Sequence, residues 1–108
     1  MEQKRVIEWI ETVGLLPLGS IVKIKGSNKK IMIIGNLVTC KKPKEDKIKL
    51  FDYVGCFYPE GISQMEMNIY FYDDEVEEIF SFGYCHDEKY LRFIVMKNIF
   101  SFKKINLA

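Results

Sequence analysis

Charge of one sign is what this sequence lacks most plainly. Sixteen lysines and arginines meet fifteen aspartates and glutamates, leaving a formal net charge of +1. A domain that neutralises a row of phosphates carries a basic excess, so the electrostatic footprint of a nucleic-acid binder is missing. Long hydrophobic runs are lacking too. No apolar stretch approaches the roughly 20 residues of a membrane-spanning helix, so no membrane insertion is expected. Glu8 and Glu11 interrupt the segment after Lys4 and Arg5, which argues against a secretory signal. Cysteine is scarce: Cys40, Cys56 and Cys85 are odd in number and widely spaced. That pattern speaks against a disulfide framework and for a reducing, cytoplasmic setting.

Histidine is scarcer still, with His86 alone and next to Cys85. Adjacent side chains on a strand point to opposite faces, so these two are not expected to form a nucleophilic dyad. Structural zinc sites bring ligands in close pairs, and no CxxC is present. Phosphate loops, GxGxxG and GxSxG are absent as well. The residues therefore predict no enzyme, no cofactor and no bound metal. The alternative kept open is a cysteine- or metal-dependent protein built around Cys56 and His86.

What is present is a well-stocked core: 48% of residues are hydrophobic and 14% aromatic. Such a chain can fill one core, and its length suits a single domain over residues 1–108. No internal repeat or low-complexity segment is visible. The organising stretch runs from Leu16 to Thr39. Val22 and Ile24 alternate with Lys23 and Lys25, the period of a strand with one wet face. Gly26, Ser27 and Asn28 supply a turn. Ile31 to Ile34 is unbroken apolar sequence, which suits a strand covered on both faces, and Gly35 marks a bulge or bend.

Residues 2–14 predict an amphipathic helix, with Val6, Ile10 and Val13 at helical spacing and Trp9 beside them. Trp9 packs either on this domain's own sheet or on a partner. Residues 41–47 read as a solvated charged loop. Residues 48–58 form a third strand, with Phe51, Tyr53 and Phe57 on one face and Gly55 permitting a bend or close backbone approach. Residues 65–72 alternate cleanly: Ile69 and Phe71 face in, Tyr70 and Tyr72 face out. These two tyrosines either form a contact surface or pair across the strand. The acids that follow predict a short acidic helix near 74–79. A fifth strand from Ile79 to Tyr84 is expected, with Phe80, Phe82 and Tyr84 inward. Asp87 or His86 then caps a helix over 87–102 that is apolar nearly all round, with a strand kept open as the alternative by its β-branched and aromatic content. A helix of that kind needs cover on more than one side, so its excess apolar face points to a homodimer or a partner contact.

The order LP-x-GS-x-V at 16–22, MIIG at 32–35 and FDYVGCFYPEG at 51–61 resembles the small bacterial family catalogued as domain of unknown function 4176. The family's YDY-x-G-x-x-YPEG core is matched by Asp52, Tyr53, Gly55, Tyr58, Pro59, Glu60 and Gly61, with Phe51 replacing the first tyrosine. Its following strand and short acidic helix resemble residues 65–84, and the last segment departs, being apolar here. Proteins of this kind are encoded in low-G+C Gram-positive bacteria beside toxins with LXG domains exported by type VII secretion. The resemblance implies a cytoplasmic accessory, chaperone or targeting factor for such a toxin, or a secretion component as partner. It carries over no catalytic residue.

The expectation is an α+β domain: a bent, mostly antiparallel five-stranded sheet with an N- and a C-terminal helix, an SH3-like small barrel being its closed form. The candidate partner-binding residues are Trp9, Tyr58, Glu60, Tyr70 and Tyr72, with the C-terminal helix beside them. An immunity protein that neutralises a cognate toxin is the alternative within the same partner class.

Overall fold

The computed structural model describes residues 14–41, 46–62 and 68–106. The predicted N-terminal helix, Trp9 included, lies outside them. The strands are β1 (Ile21–Ile24), β2 (Ile31–Cys40), β3 (Lys49–Phe57), β4 (Ile69–Phe71), β5 (Val76–Ser81) and β6 (Lys104–Ile105). One helix, α1 (Glu88–Phe100), sits between β5 and β6. The strands form one sheet in the order β4-β3-β2-β1-β5-β6, antiparallel throughout except for the parallel pair β5–β6.

Three expectations need correction. The sheet has six strands rather than five. It is open: the edges are β4, of three residues, and β6, of two, and they do not pair with each other as barrel closure requires. The acidic helix near 74–79 shrinks to a 3-10 turn over Asp73–Glu75, and β5 begins at once with Val76. Val76 and Ile79 are buried core residues, so burial overrides the local preference of the acids between them.

β2 is the spine of the sheet. It pairs with β3 from Ile31↔Phe57 to Cys40↔Lys49, with a register shift between Ile33 and Gly35. This is the bulge that Gly35 signals. Gly55 marks a close approach: a Cβ there would lie 2.4 Å from Ile31 Cγ2 and 2.8 Å from the Met32 carbonyl oxygen. The core gathers Leu15, Leu16, Val22, Ile31, Ile33, Tyr53, Phe71, Val76 and Ile79. Phe51 does not share a face with Tyr53. Its ring stacks with Tyr72 (4.9 Å) and tilts against Tyr70 (5.6 Å), whereas Tyr53 packs on Phe71 (5.3 Å). The change of face falls beside Leu37, which takes φ +49° between the β2 partners of Tyr53 and Phe51. Tyr84, expected inward, lies past the end of β5 and is 87% exposed.

Local chemistry sets the bounds of α1. The Asp87 carboxylate accepts from the Lys89 and Tyr90 N–H groups, satisfying donors that no helical turn reaches. At the other end the Phe102 N–H donates to the Ile99 carbonyl (3.0 Å) and the Lys103 N–H to the Asn98 carbonyl (3.1 Å). This is the Schellman pattern, which places its C′ residue in the left-handed region. Glycine normally stands there; here it is Phe102, at φ +61°.

Candidate partner-binding surface

The surface is positioned by a part-buried polar hub around Asp73. Tyr53 Oη donates to Asp73 Oδ1 at 2.5 Å and accepts the Leu16 N–H at 2.9 Å. Lys103 Nζ donates to Asp73 Oδ2 (3.0 Å) and to the Asp73 carbonyl (2.8 Å). Lys97 Nζ reaches Asp73 Oδ2 at 3.4 Å and the Gly14 carbonyl at 3.2 Å. The Asp73 N–H donates to Asp52 Oδ2 at 2.7 Å. One carboxylate thus ties β3, the 3-10 turn, the last turns of α1 and the chain entering at Gly14. Tyr90 Oη adds a hydrogen bond to the Leu15 carbonyl.

The electrostatics follow from burial. Burial raises the Tyr53 phenol far above its ordinary range, and the neighbouring Asp73 charge adds to this, so Tyr53 stays a neutral donor. Burial alone would raise the Asp73 carboxyl too. The Tyr53 hydroxyl, Lys103 and Lys97 more than offset it and hold the pKa below the usual carboxylate value. The Lys103 side chain is only 7% exposed and meets the Asp73 carboxylate at 3.0 Å, so the pair is largely shielded from water.

This hub fixes one face of α1, and apolar side chains stand exposed on the other. Ile94 and Asn98 are buried. On the opposite side Phe93, Met96 and Phe100 recur at i, i+3 and i+7 with Ile99 beside them, all exposed. Phe100 is 73% exposed and Phe102, just past the helix end, 96%. A non-glycine residue in the left-handed region costs roughly 1–2 kcal/mol. The protein therefore holds a large aromatic ring in water at a cost to its own fold. A cleft of about 330 Å³ opens beside Phe102, with Lys25, Asp74, Glu77 and Lys103 in its lining.

The residues singled out from sequence do not come together. Trp9 lies outside the described residues. Tyr58 and Glu60 are exposed at the turn after β3, where the Tyr58–Pro59 peptide is cis. Tyr70 and Tyr72 form a separate aromatic ledge with Phe51 at the β4 edge. Of the two readings open to these tyrosines, the cross-strand pairing is what the contacts show, and Tyr72 still keeps an exposed edge. Phe100 and Phe102 belong to the C-terminal segment expected to make a contact but are not singled out individually by the sequence; their signal is an apolar run continuing into the lysines at 103–104.

Cys56 is buried in β3 and His86 is exposed before α1. Cys85 and His86 both line a second cleft of about 360 Å³ with Leu15, Leu18, Tyr84 and Tyr90. The Cys85 thiol donates to the Asp87 carbonyl at 3.4 Å. Among the described residues no group of three or more His, Cys, Asp or Glu side chains is placed to hold a metal ion. Nor is any helix among them long and apolar enough to cross a membrane.

Four of the motif residues, Leu16, Ser20, Asp52 and Tyr53, hold the framework. Leu16 is buried and hydrogen-bonded to Tyr53. Ser20 Oγ donates to the Pro17 carbonyl (2.7 Å) and accepts the Gly83 N–H (2.9 Å). Asp52 and Tyr53 bind the Asp73 segment. A family model described as a domain of unknown function, DUF4176, matches residues 15–93. The chain belongs to the DUF4176 family. No curated protein and no solved structure matches it. The DUF4176 match takes in the whole Leu16–Tyr53–Asp73 framework. It ends at Phe93, so Met96, Ile99, Phe100 and Phe102 lie beyond the matched span.

Proposed function

We propose that this DUF4176 protein is a non-enzymatic accessory factor, a chaperone or targeting module that binds an LXG-type toxin for type VII secretion. The observation that carries the reading is the outer face of α1. Four apolar side chains stand on a helix locked at its back by Asp73, Lys97 and Lys103, and the exposed Phe102 follows just past its end. Exposed apolar patches of this kind mark interaction sites, and an apolar stripe at i, i+3, i+7 suits a helical client. The client's own apolar helical surface is shielded by this face until it reaches the secretion machine. The family's setting beside LXG toxins supplies the client class. The patch lies mostly beyond the family-matched residues, which suits the part of the protein that tells clients apart.

The test is a pull-down of the tagged protein from cells that carry its gene neighbours, with mass spectrometry of what is retained. Recovery of an LXG protein that survives deletion of the toxin's C-terminal domain, and is lost with Phe100→Asp, is the expected result. Recovery only through the toxin domain would assign the protein to immunity. Absence of any toxin or secretion component under gentle conditions would refute both.

A further inference from the structure

The chain enters the fold at the edge of the outer face of α1. Gly14 is buried there. A Cβ on it would lie 3.0 Å from Phe93 Cε1 and 2.9 Å from Lys97 Cδ, and its carbonyl accepts from Lys97 Nζ at 3.2 Å. Leu15 follows, with its carbonyl on Tyr90 Oη. The first described residue thus touches Phe93, the first member of the exposed stripe Phe93, Met96 and Phe100. Residues 1–13 lead up to this point. Of the other residues outside the described set, 42–45 lie in the connection from β2 to β3 and 63–67 in that from β3 to β4, and 107–108 are too few to cover a helix face. We propose that residues 2–13 dock as a helix on the outer face of α1, an intramolecular cover over Phe93, Met96 and Phe100.

The chemistry of the segment suits this place. Val6, Trp9, Ile10 and Val13 recur at i, i+3, i+4 and i+7, an apolar stripe of the same helical period as the one it meets. A helix of about a dozen residues is marginal in water without a surface to pack on. Its length of about 18 Å exceeds the ~10 Å that separate Phe93 from Phe100 along α1. Gly14 takes φ +74°, the left-handed position that commonly ends a helix, and so lets the chain turn from the segment into Leu15 and Leu16. Tethering then decides the occupant. A segment joined at the edge of the face meets it at an effective concentration of about millimolar, an advantage that an untethered second copy lacks. A client on this face has to displace the segment, so the cover withholds the patch from weak partners. That regulatory consequence rests on the client reading above; the cover itself does not.

Trp9 is the single tryptophan of the chain, so its fluorescence, excited selectively, reports the segment alone. Acrylamide quenching of the purified full chain tests the cover without any client. The expected result is a Trp9 that is shielded in the wild type at every concentration and becomes several-fold more open to quencher in Phe100→Asp and Met96→Asp. Both positions are exposed, so these changes leave the core intact, and Leu50→Asp, exposed on β3, should leave Trp9 shielded. A second measurement needs no disruptive variant. Ile10→Cys with Met96→Cys, in a chain with Cys40 and Cys85 replaced by serine, should be joined within one chain by a short bismaleimide; Ile10→Cys with Leu50→Cys should not. A wild-type Trp9 as open to quencher as in the urea-unfolded chain overturns the proposal. A shielded Trp9 that ignores both aspartates assigns it to another surface, and shielding lost on dilution gives the face to a second copy; either overturns it, as does failure of the Ile10–Met96 cross-link. The pull-down of LXG proteins is independent of these outcomes, so either reading can fail alone.

Discussion

Replacing Tyr53 by phenylalanine removes one oxygen and leaves the ring where it is, packed on Phe71 at 5.3 Å. Two hydrogen bonds go with that oxygen. The bond donated to the Asp73 carboxylate contributes about 1.5–3 kcal/mol, as bonds to charged groups do. The Leu16 N–H, on a fully buried residue, is left without its acceptor, and a stranded buried donor costs about 1–3 kcal/mol. Asp73 keeps Lys103 and Lys97, which limits the damage, so the expected loss is about 3 kcal/mol. With a urea m-value of about 1–1.5 kcal/mol/M, the unfolding midpoint should fall by roughly 2 M. The melting temperature should fall by about 10–15 °C. The same loss should be strongly non-additive with Asp73→Asn, because both changes break one network. A Tyr53→Phe variant within about 0.5 kcal/mol of wild type, or one that adds simply to Asp73→Asn, would refute the hub as the lock between sheet and helix.

Asp73 makes the fold acid-sensitive in a defined window. Its folded pKa lies below its unfolded value, so its contribution is fully present above the unfolded value and is lost as pH falls through the folded one. Urea titrations below about pH 4 should therefore show wild type converging on Asp73→Asn, a convergence absent at neutral pH. Phe102→Gly should stabilise the monomer by about 1 kcal/mol, since glycine takes the left-handed C′ position without strain, while weakening whatever binds there. Gly55→Ala should cost more than about 2 kcal/mol, because the added methyl meets Ile31 Cγ2 and the Met32 carbonyl; thermal melts read both.

Local signals carried much of the framework. The bulge was written in Gly35, the close approach in Gly55, and the helix start in an aspartate before an apolar run. What local pattern could not carry was the partnership of Asp73. Its partners Tyr53, Lys97 and Lys103 stand 20, 24 and 30 residues away, so no spacing links them. The acids around it read as a solvated helix because nothing nearby shows that Val76 and Ile79 enter the core. β6 was illegible for a related reason, being two residues recruited by β5 after the helix turns. The same limit hid the exposed face of α1: the run from Tyr90 to Phe100 is apolar nearly all round, and only the packing shows which side Ile94 and Asn98 bury.

The central claim is that the outer face of α1 receives an apolar helical surface of an LXG protein. Calorimetric titration of the purified protein with a purified LXG domain tests it most directly. The account predicts saturable binding with a negative heat-capacity change, as burial of apolar surface requires, and its loss in Phe100→Asp but not in Tyr58→Ala. Absence of binding to the LXG domain, or equal affinity for wild type and Phe100→Asp, would contradict it.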